Sequence, residues 1–194
     1  MDEEVIEKAV SYIKGLFAEN AGGHDADHTM RVYRTAILLA EKEPGCDRTV
    51  TALTALLHDA DDYKLFRTEN NDNARRFLTE NGVSAETAER VISAVNAMSF
   101  SKNGEKRPET PEGRVVQDAD RLDAIGAVGI GRTFAFGGEH GRSMDESVQH
   151  FYDKLLRLRD LMNTPAAAAL AEERHAFLET FLAQYHKETG EGRP

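Results

Sequence analysis

Ala52-Leu53-Thr54-Ala55-Leu56-Leu57-His58-Asp59 sets an apolar run directly against a polar doublet. Val50, Leu53, Leu56, Leu57 and Ala60 repeat at helical spacing, which predicts a helix whose buried stripe finishes where His58 and Asp59 begin. Successive helical residues diverge by about 100°, so an adjacent histidine and aspartate share one task most readily at a helix end that faces a cavity. Taken alone, a histidine on an apolar face is usually a core residue and an aspartate after a helix is usually a cap. The fold and the function both turn on what the doublet meets.

Working outward, the same period of 3.6 recurs almost everywhere, while strand-like alternation is rare. Val5, Ile6, Ala9, Val10, Ile13, Leu16 and Phe17 form one stripe, closed by Asn20-Ala21-Gly22-Gly23. His28, Val32, Thr35, Ala36, Leu39 and Ala40 form a second, so His28 heads a buried face, and Pro44-Gly45 ends that element. Asp72 to Glu80 reads as a short helix stopped by Asn81-Gly82, and Ser84 as the N-cap of a helix carrying Val91, Ile92, Val95 and Met98. Ser99 to Pro111 has no period and reads as a loop. Val115 to Ala127 returns to helix, Phe136-Gly137-Gly138-Glu139-His140-Gly141 reads as a Gly-rich loop, and Val148, Phe151, Tyr152, Leu155, Leu158 and Met162 define one further helix. Thr164-Pro165 opens the last, with Leu170, Phe177, Leu178, Phe181, Leu182 and Tyr185 on its face. The expected fold is all-α, a single-domain helical bundle of roughly seven to nine helices spanning residues 1–194. Its core lies at about 20–135, with C-terminal helices at about 145–189 packed on it.

Composition narrows the function. Lys plus Arg total 24 and Asp plus Glu 34, a net charge of −10 with no concentrated basic stretch, which argues against a nucleic-acid backbone as partner. One cysteine, Cys46, excludes an intramolecular disulfide and a thiolate-rich metal site, and fits a reducing compartment, the cytoplasm by default. The acidic start Met1-Asp2-Glu3-Glu4 does not resemble a signal peptide, and no apolar stretch approaches the ~20 residues that span a bilayer. Gly126-Ala127-Val128-Gly129-Ile130-Gly131 is no dinucleotide loop, because its order is reversed and no strand precedes it; close helix packing explains it.

His28 and His58 with Asp59 and an aspartate of the pair Asp118 and Asp120 supply two imidazoles and two carboxylates from separate helical segments. Such a set satisfies a hard or borderline divalent ion and leaves positions for water and substrate.

The surroundings of these residues resemble a whole family. Gly23-His24-Asp25-Ala26-Asp27-His28-Thr29-Met30-Arg31-Val32, then Leu56-Leu57-His58-Asp59-Ala60-Asp61-Asp62-Tyr63-Lys64, then Val115-Val116-Gln117-Asp118-Ala119-Asp120-Arg121-Leu122-Asp123 are similar to the H…HD…D motifs of the HD-domain metal-dependent phosphohydrolases, in the branch that includes nucleotide pyrophosphohydrolases. The resemblance runs on through Gly129 to Phe134 and His150 to Leu156. It implies His28, His58 and Asp59 as metal ligands, with Asp120 preferred as the fourth, Asp118 as its alternative. It implies one divalent ion, Mn²⁺ or Mg²⁺ first, with Fe²⁺, Co²⁺, Ni²⁺ or Zn²⁺ as alternatives. No histidine occurs between Ala60 and Gln117, where two-metal relatives add them, which favours a single metal. Asp62 is the candidate for orienting water and Lys64 for the leaving phosphate; Asp61 and Asp62 read equally as a solvated acidic turn, and Lys64 as a surface cation. Arg31, His24, Arg121, Arg132, His150 and Lys154 are candidate substrate contacts. The implied substrate is a small nucleotide, first a (deoxy)nucleoside triphosphate cleaved to monophosphate and pyrophosphate. Alternatives are a nucleoside monophosphate phosphatase or phosphodiesterase, and a metal-containing nucleotide sensor.

Overall fold

The computed structural model describes residues 2–18, 25–63, 65–98 and 106–190. Among these the chain forms α1 (Asp2–Leu16), α2 (Ala26–Ala40), α3 (Arg48–Leu57), α4 (Asp72–Glu80), α5 (Ala85–Met98), α6 (Pro111–Asp123), α7 (Gly126–Glu139), α8 (Met144–Asp153), a 3₁₀ helix (Leu155–Leu161) and α9 (Pro165–Thr189), with no strand. The all-α expectation is met. The helices group into two compact units, Met1–Ala119 and Asp120–Pro194, and the boundary falls inside the continuous helix α6.

In the first unit α3 is the axis, packed against α1, α2 and α5. All eight residues from Val50 to Leu57 are buried, Thr51 and Thr54 included. A helix apolar on nearly every side is driven to the centre of a core. Asp47 starts α3, its carboxylate accepting from the N–H groups of Thr49 and Val50 at 2.9 and 3.1 Å. Arg90 of α5 reaches both Asp47, at 3.1 Å, and buried Glu112 of α6, at 2.9 Å. Burial opposes ionisation of Asp47, yet the Val50 and Thr49 amides and the Arg90 guanidinium hold its carboxyl below the usual range. Around α3, Val5, Ala9, Ile13 and Phe17 of the first helical segment, Phe77 and Leu78 of α4, and Val91, Ile92 and Val95 of α5 close one core. Gly82 has φ +69° and Ser84 Oγ accepts from Thr87 N–H at 3.1 Å, matching the expected stop and cap. The expected Asn20–Gly23 stop lies outside the described residues, as does 99–105 of the expected loop.

The second unit corrects three readings. Phe136 to Glu139 belong to α7 and are not a loop. A Cβ on Gly137 would meet Ser147 Oγ at 2.2 Å, so the glycine there serves close packing of α7 on α8, and the chain turns only at Gly141, φ +67°. The helix expected to run from Val148 to Met162 breaks at Lys154, φ −138°, and continues as the 3₁₀ segment. On α9 the buried stripe is Ala167, Ala171, His175, Leu178, Leu182 and Tyr185, while Leu170 is 36% and Phe177 51% exposed. Large apolar residues mislead there because small ones and a histidine occupy the inward positions. The α6 helix also begins earlier than expected and ends at Asp123, before the turn into α7. Thr164-Pro165 behaves as read, Thr164 Oγ1 accepting from Ala167 N–H at 3.3 Å, whereas Gly129 serves the helix's own entry turn, where a Cβ would lie 2.2 Å from the Ala124 carbonyl oxygen.

Candidate metal centre

Each side chain of the doublet's surroundings is aimed by local helix chemistry. Asp25 caps α2, its Oδ1 accepting from His28 N–H at 2.6 Å, and this fixes His28 in the first turn with its ring 1% exposed. His58 is the C-cap of α3, still in helical backbone at φ −60°, and its ring is 4% exposed. The two rings lie edge to face with centroids 5.3 Å apart.

His58 Nδ1 sits 2.8 Å from the Ala55 carbonyl oxygen. A carbonyl only accepts, so Nδ1 carries the proton and Nε2 of the neutral ring presents a lone pair. That Nε2 lies 3.3 Å from Asp59 Oδ2, and His28 Nε2 lies 3.5 Å from the same oxygen. One carboxylate oxygen faces two imidazole nitrogens, an arrangement that a shared cation stabilises. Asp120 of α6 adds a second carboxylate: one ligand atom each from His28, His58 and Asp120 all lie within 4.8 Å of one another. The donor set, two imidazoles with carboxylate oxygens, is the kind that binds a divalent ion, and the carbonyl behind His58 is the outer support such a ligand requires. This is a candidate divalent-metal site.

The other expected site residues distribute as follows. Asp118 is fully buried on α6. Asp62 is half-buried in the turn after the doublet, its N–H donating to the Asp59 carbonyl at 3.1 Å. Arg31 is half-buried on α2. His24 and Lys64 lie outside the described residues. In the second unit Arg121 is buried and donates to the Leu161 carbonyl, and Arg132 pairs with Asp123 Oδ2 at 2.8 Å. His150 is half-buried on α8, where burial and the neighbouring cations Lys154 and Arg142 lower its pKa; Lys154 is exposed.

Two supports went unread in the sequence. Asp25 was legible in principle, since an aspartate three residues before an inward-facing histidine is cap spacing. Asp61, expected in a solvated acidic turn, instead accepts from the backbone N–H groups of Asn73 and Ala74 at 2.9 and 3.0 Å. No local pattern announces a bond that spans twelve residues.

Sequence and fold both match known proteins. The HD domain model matches residues 25–125, over half of the chain. YpgQ of Bacillus subtilis (strain 168) is 42% identical over 190 residues, 94% of this chain and 92% of that protein. The crystal structure of B. subtilis YpgQ in complex with ADP superposes with a TM-score of 0.85 at 38% identity over 96% of both chains. An HD-superfamily hydrolase from Bacillus thuringiensis does so with a TM-score of 0.81 at 40% identity, covering 98% and 99% of the two chains. With its motifs in order, its helices matching and its histidines and aspartate converging, the chain belongs to the HD-domain metal-dependent phosphohydrolase superfamily.

Proposed function

We propose that this phosphohydrolase cleaves (deoxy)nucleoside triphosphates to monophosphate and pyrophosphate, with one divalent ion, Mn²⁺ or Mg²⁺ before Fe²⁺, Co²⁺, Ni²⁺ or Zn²⁺, held by His28, His58, Asp59 and Asp120. The observation that carries the reading is the convergence of His28, His58 and Asp120 beside the Asp59 carboxylate. The complex of YpgQ with ADP supports a nucleotide as ligand. When bound, the ion supplies Lewis-acid polarisation of a phosphoryl oxygen and a lowered pKa for water. Asp62, tied by its own N–H to the Asp59 carbonyl, is suited to orienting the attacking water and taking its proton. Lys64 is assigned to the leaving phosphate, and Arg31, His24, Arg121, Arg132, His150 and Lys154 to substrate binding. A lowered pKa makes His150 a neutral hydrogen-bonding group at pH 7 rather than a cation. Asp118, fully buried, is assigned to holding a ligand or an arginine in place.

No helix among the described residues is long and apolar enough to cross a membrane, and the single cysteine suits the cytoplasm, where we place the protein. The test offers purified protein with Mn²⁺ a panel of nucleoside mono-, di- and triphosphates and resolves the products by phosphorus NMR. Pyrophosphate from triphosphates is the expected outcome. Inorganic phosphate from monophosphates replaces this reading with a phosphatase, and tight nucleotide binding without turnover replaces it with a sensor.

A further inference from the structure

The short helix α4 is capped in an unusual way. A helix is ordinarily capped by the residue just before it, whose side chain accepts from the N2 or N3 amide. Asn71 occupies that place in α4, in left-handed backbone at φ 60°, and makes no side-chain capping bond; its amide donates to Asn96 Oδ1 of α5 at 3.1 Å. The cap comes from Asp61, whose two oxygens accept from Asn73 and Ala74 N–H. Asn73 returns the bond: its buried Nδ2 donates to the Ala60 carbonyl at 2.8 Å. The three bonds form a reciprocal lock between residues 60–61 and 73–74. Asn70 and Asn71, at φ 54° and 60°, turn the chain so that the α4 amides meet it.

The lock grips the two residues that follow His58-Asp59. Asp59 Oδ2 stands 3.3 and 3.5 Å from the two Nε2 atoms, and its backbone is held on one side by buried α3 and on the other by this lock. Outer partners that orient a metal's ligands typically contribute about tenfold to a hundredfold in metal affinity. We propose that Asp61 and Asn73 are positioning residues of the metal centre, and that α4 serves to hold the Asp59 carboxylate against His28 and His58 for a divalent cation. This inference rests on the metal-site reading given above.

The test uses full-length protein stripped with chelator, Mn²⁺ titrated calorimetrically and Co²⁺ followed by its visible absorption. Asp61→Ala and Asn73→Ala are expected to weaken Mn²⁺ binding by about tenfold to a hundredfold and to shift the Co²⁺ bands. Asp61→Asn, which keeps one acceptor oxygen, is expected to fall between Asp61→Ala and the parent, and decides the matter if the alanine variants do not fold. Ser143→Ala, which removes the capping box of α8, is the comparison for a lost cap remote in sequence from the doublet. Variants that melt lower yet bind Mn²⁺ within about twofold of the parent, with unchanged Co²⁺ spectra, reduce the lock to a stability device and overturn the proposal. A parent that binds neither ion overturns the metal reading and this inference with it, whereas a parent that binds while every variant matches it overturns this inference alone.

Discussion

His58 does two jobs with one ring. Its Nδ1 proton goes to the Ala55 carbonyl of its own helix, and this leaves Nε2 as the donor facing Asp59. Replacing the ring removes a candidate ligand and leaves the buried side chains of Leu53, Leu56 and Leu57 in place. His58→Ala is therefore expected to keep its helical circular dichroism and lose Mn²⁺ affinity beyond the tenfold to hundredfold typical of an outer partner. Hydrolytic activity is expected to fall with it; a folded variant of full activity would sink the metal mechanism. The two histidines of the candidate metal group were legible at this scale because each heads or ends a periodic run. His175 was not: it sits in the buried stripe of α9, 7% exposed, at a position that only the full alternation of alanines and leucines reveals.

Elements carry the costs that residues only hint at. At the start of α7, a Cβ on Gly129 would meet the backbone oxygen of Ala124, which cannot swing aside. Gly129→Ala is expected to destabilise by about 1–3 kcal/mol. Gly131→Ala in the same helix meets nothing within 4 Å and is expected to be neutral or to gain up to about 1 kcal/mol from helix propensity. Thermal melts of the pair check both signs. At the start of α3, Asp47→Ala is expected to cost about 1 kcal/mol through loss of the cap. The pH sign follows from its depressed pKa in the folded state: the stabilisation is present above the unfolded value of about 4 and is lost as pH falls through the folded one. Melting curves of the parent and of Asp47→Asn from neutral to acid are therefore expected to converge below that range; parallel curves would remove Asp47 from the acid sensitivity.

Helix boundaries were legible where a cap or a stop glycine marked them, as at Thr164 and Gly82. They failed at Gly137 and Lys154, where contacts between helices decide whether glycine stays helical and where a helix tightens to 3₁₀.

At the scale of the molecule, a cation that binds only the folded chain must raise its melting temperature. Mn²⁺ at a hundred times its dissociation constant contributes about 2.7 kcal/mol. For a chain of this length that corresponds to roughly 5–10 °C. Scanning calorimetry with Mn²⁺ against a chelator checks the shift, and a melting temperature indifferent to both would deny the folded state a cation site. The all-α class and the ordered H…HD…D motifs were readable from sequence because period and motif order are local or one-dimensional properties. The division into two compact units and the Asp61–Asn73 lock are properties of long-range pairing, which a single sequence does not display.

Burial of α3 on every side has a kinetic consequence. Its amides can exchange hydrogen with solvent only when the core around Leu53, Leu56 and Leu57 opens, so they belong to the slowest class in the first unit. His58 is anchored to that helix through the Ala55 carbonyl, whereas Tyr63, four residues beyond Asp59, is exposed. One half of the doublet thus rides on the slowest-opening segment of the unit and the other begins a surface turn. The carboxylate side is therefore expected to loosen when the bonds of Ala60 and Asp61 to Asn73 and Ala74 open, and the imidazole side only when the core itself does.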